Sequence, residues 1–312
     1  MNAIIKHLAA KRREGFIHAK MTHFRVYGLW IAKMTQKIVY QGEPGAYSHL
    51  ACSQFFPGHA PVACPSFAKA FAHVRSGEAH CAMIPVENTV AGRVSDIYHL
   101  LPEGGLHIIG ERYLPVHHQL LGVRGAKLPD IRHARSHHMA LGQVRKFLTK
   151  HEIDPVVDVD TAGAARKIAA SGDTSVAAVA SRLAAQTYDL DILAEDIEDA
   201  AHNTTRFIVL ADAPAIPKPD VPSVSSFVFK VRSVPSALYK ALGGFASNGL
   251  NLTKLESYMV GGSFKAAQFY ADVEGHIDSD EMKNALEELA FFSDNITHLG
   301  TYPMDETRLS QA

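Results

Sequence analysis

The sequence predicts an α/β chain with a second, differently built unit at its C-terminal end, and three observations predict it. From residue 37 to 211, short apolar runs alternate with helix-like segments, the pattern of crossover units and a mostly parallel sheet. Residues 212–223 hold four prolines, Pro214, Pro217, Pro219 and Pro222, which exclude helix and sheet and favour an extended linker. Beyond them the order becomes strand, helix, strand, strand, helix, strand, the ferredoxin-like βαββαβ arrangement.

The elements follow in order. Ile38–Gln41 is an apolar run closed by a Gly/Pro turn, with Ser48 as expected N-cap of a helix through Phe56. Ser66 caps the next helix, ending near Gly77, and Cys81–Ile84 reads as a buried strand. A short helix is expected over Gly92–Leu101, then strands at Leu106–Ile109 and Gln119–Val123. Ser136 is the expected cap of a helix carrying Leu141, Val144 and Leu148 on one stripe. Val156–Val159, Val176–Ala180 and Asp191–Ala194 are strands around helices opening at Thr161 and Ser181. After the linker, Ser226–Val231, Leu250–Tyr258, Phe264–Val273 and Asn295–Thr301 read as strands, the middle pair turning at Gly261-Gly262. Leu238, Ala241, Leu242 and Phe245 form one helical stripe, ended by Asn248-Gly249. Met282, Ala285, Leu286, Leu289 and Ala290 form the other. Two helices cover only one face of such a sheet, so the other face is expected to stay exposed unless a second protomer covers it.

Composition narrows the function. At 312 residues and 47% hydrophobic, the chain is long enough for two or three ordinary cores. A net charge of −1 gives no case for nucleic acid or an anionic membrane. No run approaches the ~18 apolar residues of a membrane span. The three cysteines lack CxxC spacing and read as reduced thiols of a cytoplasmic protein. Eighteen histidines include the pairs His117-His118 and His137-His138, but neighbours in sequence point apart and chelate poorly, so no metal is expected. Residues 1–35 hold seven Lys/Arg against one acid and are expected to be a dispensable basic extension.

Polar motifs sit at strand ends, where ligands bind in open α/β sheets. They are Tyr40-Gln41-Gly42-Glu43-Pro44-Gly45-Ala46-Tyr47-Ser48, Pro85-Val86-Glu87-Asn88-Thr89-Val90-Ala91-Gly92, Ala180-Ser181 and Asn203-Thr204-Thr205-Arg206-Phe207. In this order, followed by a βαββαβ unit, they resemble the monofunctional prephenate dehydratases from about residue 37 to 304. The resemblance implies two lobes of the type II periplasmic-binding-protein kind around a cleft: lobe one 37–113 and 197–211, lobe two 114–196. With the linker at 213–223, residues 224–304 would be an ACT regulatory domain. Two stretches depart from the family pattern. Ser136-His137-His138-Met139 stands where many members read Ser-His-Pro-Gln, and Glu256-Ser257-Tyr258-Met259 where many read Glu-Ser-Arg-Pro.

The implied reaction removes ring hydroxide and carbon dioxide from prephenate to give phenylpyruvate, and aromatisation drives it without a cofactor. It needs a proton donor, anchors for two carboxylates and a desolvated cleft. The resemblance places the donor at Thr205, with Asn88 and Glu87 as catalytic partners. It places substrate contacts at Ser48, Thr89, Ser136, Gln143, Thr204 and Arg206. Arg206 alternates with Thr205 along the strand, so it reads first as a structural ion pair on the opposite face, with a carboxylate clamp as the alternative, and Glu87 either orients Thr205 or is buried and paired. Phenylalanine as effector would meet Ala237, Leu238, Asn248, Gly249, Leu250, Asn251, Leu252, Glu256 and Ser257. A homodimer or homotetramer is implied. Arogenate as substrate, or a non-catalytic amino-acid sensor, remain the alternatives.

Overall fold

The computed structural model describes residues 36–232, 234–259 and 267–310; the basic extension and the Gly261-Gly262 turn lie outside the described residues. Lys37–Ala312 form one compact unit.

The first sheet has the strand order β2-β1-β3-β11-β5, with the two-residue β4 beside β3. Its strands are β1 (Lys37–Gln41), β2 (Ala60–Cys64), β3 (Cys81–Asn88), β4 (Gly92–Arg93), β5 (His107–Pro115) and β11 (Thr204–Ala211). The second sheet runs β10-β6-β9-β7-β8, from β6 (Gln119–Gly122), β7 (His133–His137), β8 (Asp154–Asp158), β9 (Val176–Ala180) and β10 (Asp191–Ala194). Both sheets are mixed rather than mostly parallel. In each, the strand arriving from the other lobe, β11 or β6, pairs antiparallel with both neighbours.

Helices α1 (Tyr47–Phe55), α2 (Phe67–Arg75) and α3 (Ser95–Leu100) flank the first sheet. α4 (His138–Gln143), α5 (Arg145–Lys150), α6 (Thr161–Ser171) and α7 (Arg182–Tyr188) flank the second. Ser66 caps α2 and Ser181 caps α7 through their side chains. Ser48 does not cap α1: it is the second helical residue, and Ala46 takes the cap position. Ser136 does not cap α4 either. It is a fully buried residue of β7, and its hydroxyl donates to the Val179 carbonyl at 2.6 Å. Asp160, not Thr161, caps α6.

The C-terminal sheet runs β13-β14-β12-β15, from β12 (Ser223–Val231), β13 (Leu252–Met259), β14 (Ala267–Glu274) and β15 (Ser293–Pro303). α8 (Ala237–Ser247) and α9 (Asp280–Phe292) close one face over Phe227, Phe229, Ala241, Phe245 and Leu289. A last turn, α10 (Glu306–Leu309), follows β15.

The opposite face of this sheet is not left open. Val224, Val228, Tyr270 and Tyr302 share a core with Val86, Ile97, Tyr98 and Ile108 of lobe one. Alternation along β12 explains it, since Val224 and Val228 face lobe one while Phe227 and Phe229 face the helices. The approach is close: a Cβ on Gly300 would stand 2.1 Å from the Ile108 carbonyl oxygen. At about 1.5–3 kcal/mol per buried large apolar side chain, this shared core fastens the two units within one chain.

Candidate active site

The lobes are joined by two adjacent crossings. Val116 donates its N–H to the Asn203 carbonyl at 2.8 Å, and Ile197 donates to that of His118 at 2.9 Å. Contacts between the turn after β1 and α7 tie the two sheets together. Ser181 donates to the Gly45 carbonyl at 2.6 Å and Tyr188 to that of Pro44 at 2.7 Å. Gly45 has φ +88°, and a Cβ there would lie 2.8 Å from Ala184 Cα, so the turn after β1 meets α7 only as glycine.

The register of β3 against β11 sorts the sequence motifs onto two faces. Thr205 stands opposite Asn88, and Arg206 opposite Glu87. Thr205 shares its face with Phe207, which packs under α1, whereas Arg206 shares its face with Ile208, in the core reaching the C-terminal sheet.

On the first face the polar side chains converge. The Asn88 Oδ1 accepts the backbone N–H groups of Val90 and Ala91 at 2.9 and 2.7 Å. Its Nδ2 therefore faces Asn203 Oδ1 at 2.8 Å, the Thr204 carbonyl at 3.2 Å and Thr205 Oγ1 at 3.0 Å. An amide nitrogen only donates here, so the Thr205 oxygen accepts and the Thr205 hydroxyl hydrogen is directed elsewhere. Gln143, at the end of α4 in lobe two, reaches across, its Oε1 accepting Asn203 Nδ2 at 3.0 Å. Thr89 and Thr204 tie the strand ends together: Thr89 donates its hydroxyl to the His202 carbonyl at 2.6 Å and accepts the Thr204 N–H at 2.9 Å.

Glu87 and Arg206 are on the other face, and this corrects the roles expected for them. Arg206 is 3% exposed. It donates to Glu111 at 2.9 Å, Asp272 at 2.6 Å, Glu87 at 3.2 Å and the Tyr302 hydroxyl at 3.1 Å. Glu87 also accepts from Lys254 at 2.5 Å. This geometry does not bring the catalytic role expected of Glu87, or a substrate contact of Arg206, to the Thr205 face: the two side chains pair with each other and bind lobe one to the C-terminal sheet, as the ion-pair reading of Arg206 expects. Arg308, beyond the reach of any sequence motif, completes the cluster with paired bonds to Glu111 at 2.8 and 2.9 Å.

Two residues that sequence reasoning missed extend the cleft network. His118 Nε2 lies 2.6 Å from Gln143 Oε1, and its Nδ1 lies 2.7 Å from the Tyr47 hydroxyl. Burial holds the His118 imidazole below its ordinary pKa, which favours the neutral ring. Tyr47 was legible as part of the first motif, but only its hydroxyl contact reveals a role. His117, Asp196 and Glu198 cluster closely enough to gather a cation. Their donors are already engaged, however: His117 with Glu198 at 2.7 Å, Glu198 with the His118 N–H at 2.9 Å, and Asp196 with Gln119 at 2.9 Å.

The residues expected to hold an effector divide between two places. Asn248, Gly249 and Leu250 line an open groove of about 470 Å³ with the linker residues Pro219–Pro222 and His276. Asn251 donates to Glu274 at 3.0 Å, and Leu252 packs in the helix-side core. Ala237 and Leu238 open α8. Glu256 and Ser257 turn instead to lobe one, where Arg93 donates to them at 2.9 and 3.3 Å.

A prephenate dehydratase family profile matches residues 38–215. The chain belongs to the prephenate dehydratase family. It is 48% identical over 272 residues to a bifunctional N-acyl-homoserine lactone acylase/prephenate dehydratase of Komagataeibacter europaeus, covering 87% of this chain and 97% of that protein. It is 41% identical to arogenate dehydratase/prephenate dehydratase 1 of Arabidopsis thaliana, covering 87% and 73%. Among solved structures, the Arthrobacter aurescens prephenate dehydratase in complex with L-Phe superposes with a TM-score of 0.80 at 30% identity, covering 86% and 90%. The family makes the chain a carbon–oxygen lyase, a prephenate dehydratase of phenylalanine biosynthesis. Among the described residues, no helix is long and apolar enough to cross a membrane.

Proposed function

We propose that this prephenate dehydratase expels the ring hydroxide of its substrate with a proton from Thr205. The observation that carries the proposal is the Asn88 Nδ2–Thr205 Oγ1 bond of 3.0 Å. A threonine hydroxyl is a weak acid, and a donated hydrogen bond to its oxygen stabilises the charge it develops as the proton leaves. Gln143 joins the same network through Asn203, Thr89 and the Thr204 backbone bond each other beside it, and Ser48, the second residue of α1, is the anion contact we assign. The strand orders of the lobes support a type II periplasmic-binding-protein clamshell, and that of the C-terminal unit supports an ACT domain. Assembly as a homodimer or homotetramer rests on the resemblance alone.

The assay follows from the chemistry. Purified protein with EDTA and prephenate should form phenylpyruvate at the untreated rate. Inactivation by EDTA with recovery on adding a divalent cation would overturn the cofactor-free route. Arogenate run beside prephenate decides between the two substrates named for the Arabidopsis relative.

Phenylalanine is the effector we assign to the C-terminal unit. Effector and substrate sites coupled by ~1–3 kcal/mol would move apparent affinity about 5–150-fold. Titrating the full chain with phenylalanine at subsaturating prephenate should depress the rate, and Asn251→Ala should blunt the response while keeping the basal rate. Equal responses from both proteins would move the effector out of the Asn248–Leu252 region.

The acylase activity named for the Komagataeibacter relative is the second reading. It ranks lower on the chemistry of the candidate nucleophiles. Burial pushes the Cys52, Cys64 and Cys81 thiols up, and the Thr205 oxygen is bonded to an amide rather than a base.

A further inference from the structure

The cleft network has a direction, and its chemistry can be followed from one fixed end. The Val90 and Ala91 N–H groups only donate, so the Asn88 atom facing them is oxygen. Its nitrogen then faces Asn203, whose facing atom must be Oδ1. The Asn203 nitrogen in turn points to Gln143, whose facing atom must be Oε1. That oxygen also lies 2.6 Å from His118 Nε2, which must therefore carry a hydrogen. The opposite tautomer would set two lone pairs against each other at that distance. In a neutral ring, Nδ1 is then the acceptor, and the Tyr47 hydroxyl at 2.7 Å supplies its hydrogen.

Tyr47 is the point where this order can be lost. Its single hydroxyl hydrogen has a second acceptor, the His117 carbonyl at 3.0 Å. His118 is only 2% exposed, so water does not replace a missing donor cheaply. Three segments meet here: α1 of lobe one carries Tyr47, the crossing between lobes carries His118, and α4 of lobe two carries Gln143. Asn203, at the far end, stands two residues before Thr205 and takes one of the two Asn88 N–H hydrogens; Thr205 Oγ1 at 3.0 Å shares the other with the Thr204 carbonyl at 3.2 Å.

We propose that Tyr47 and His118 are positioning residues for the dehydration. The Tyr47 hydroxyl, donating to Nδ1, reinforces the Nε2–H tautomer of His118 that the Asn88 end already demands. That N–H steadies Gln143 Oε1 against Asn203, and so holds in place the network in which the Asn88 amide donates to Thr205 and leaves its hydroxyl hydrogen for the substrate. The inference rests on the assignment of Thr205 as proton donor.

Tyr47→Phe tests it, because it removes one oxygen and keeps the edge-on ring contact with His118. We expect kcat for prephenate to fall roughly tenfold, the scale of one lost buried hydrogen bond, with KM within about twofold. Nitrogen-15 spectra of the histidine rings should show His118 as the Nε2–H tautomer in the parent protein and as a tautomer mixture in the variant. A normal kcat in Tyr47→Phe overturns the proposal, as does a lowered kcat with the His118 tautomer unchanged. His118→Phe, which abolishes the directed end of the chain, should lower kcat at least as far; a smaller effect than Tyr47→Phe also overturns it. Failure of the donor assignment reads differently: Thr205→Val would then retain normal kcat, whatever the His118 spectra show.

Discussion

Thr205→Val lowers kcat for prephenate by about 10²-fold or more while the melting temperature stays close to that of the parent. The size is that of a lost general-acid contribution, ~10²–10⁴-fold. The selectivity for activity over stability follows from the hydrogen-bond count around Asn88. Its Nδ2 keeps Asn203 Oδ1 at 2.8 Å and the Thr204 carbonyl at 3.2 Å when the Thr205 oxygen is gone. Two hydrogens still find two acceptors, so no buried donor is stranded, and the stability cost is at most about 1 kcal/mol. Valine also keeps the β-branched shape that β11 accepts. Initial rates and thermal melts on the same preparation check both halves of the expectation. Unchanged kcat would remove Thr205 from the mechanism, and a large thermal loss would make its role structural.

Local patterns made many of the strands and helices legible in the sequence. Continuous apolar runs such as Cys81–Ile84 and Val176–Ala180 announced buried strands, and the stripe from Met282 to Ala290 announced α9. Asn88 and Thr205 were singled out by the family resemblance of their strand-end motifs, and the structure brings them together across adjacent strands. Caps were read less well: Ser48 and Ser136 are good capping residues, but each side chain sits one or two residues away from the position where the backbone turns. The side on which Glu87 and Arg206 lie was only half legible. Alternation along β11 separates Arg206 from Thr205, but nothing local says that Glu87 pairs with Arg206 rather than Thr205. That is a fact of register, set by strands 115 or more residues apart. The tyrosine–histidine end of the cleft network was illegible for the same reason, since Tyr47 and His118 are neighbours only through tertiary packing. The uncovered sheet face was the largest misreading: two helices do cover only one side, but the other packs on lobe one of the same chain through Val224, Val228 and Tyr302, a contact between units that no local pattern announces.

Arg206→Met should destabilise the protein by about 3–5 kcal/mol at neutral pH, the usual cost of leaving a buried carboxylate without its cation. Against a typical total of ~5–15 kcal/mol that loss is large. Two fully buried acids depend on this guanidinium, but unequally. Glu111 retains its paired bonds to Arg308. Among the described residues, Asp272 retains only the hydroxyls of Ser226 and Tyr270, at 2.5 and 2.6 Å, and no cation. In the parent, burial pushes the Asp272 carboxyl up, and Arg206 with the two hydroxyls pulls it below the ordinary carboxylate value. Its contribution to stability is therefore present above the unfolded carboxylate pKa of ~3.9 and is lost as pH falls through the lower folded value. Without Arg206 the balance reverses: burial dominates, the folded carboxyl is raised above its unfolded value, and stability is lost as pH rises through it. The gap in stability between parent and variant should thus be widest near neutrality and narrow as the pH approaches ~4. Asp272→Asn in the Arg206→Met background should recover part of the loss at neutral pH, because the neutral amide removes the unpaired charge. Denaturant melts of the three proteins across that range decide it. A gap independent of pH, or a double variant no more stable than Arg206→Met, would mean that Asp272 is not the group that makes Arg206 necessary, and the electrostatic fastening of the C-terminal unit to β11 would have to be given up.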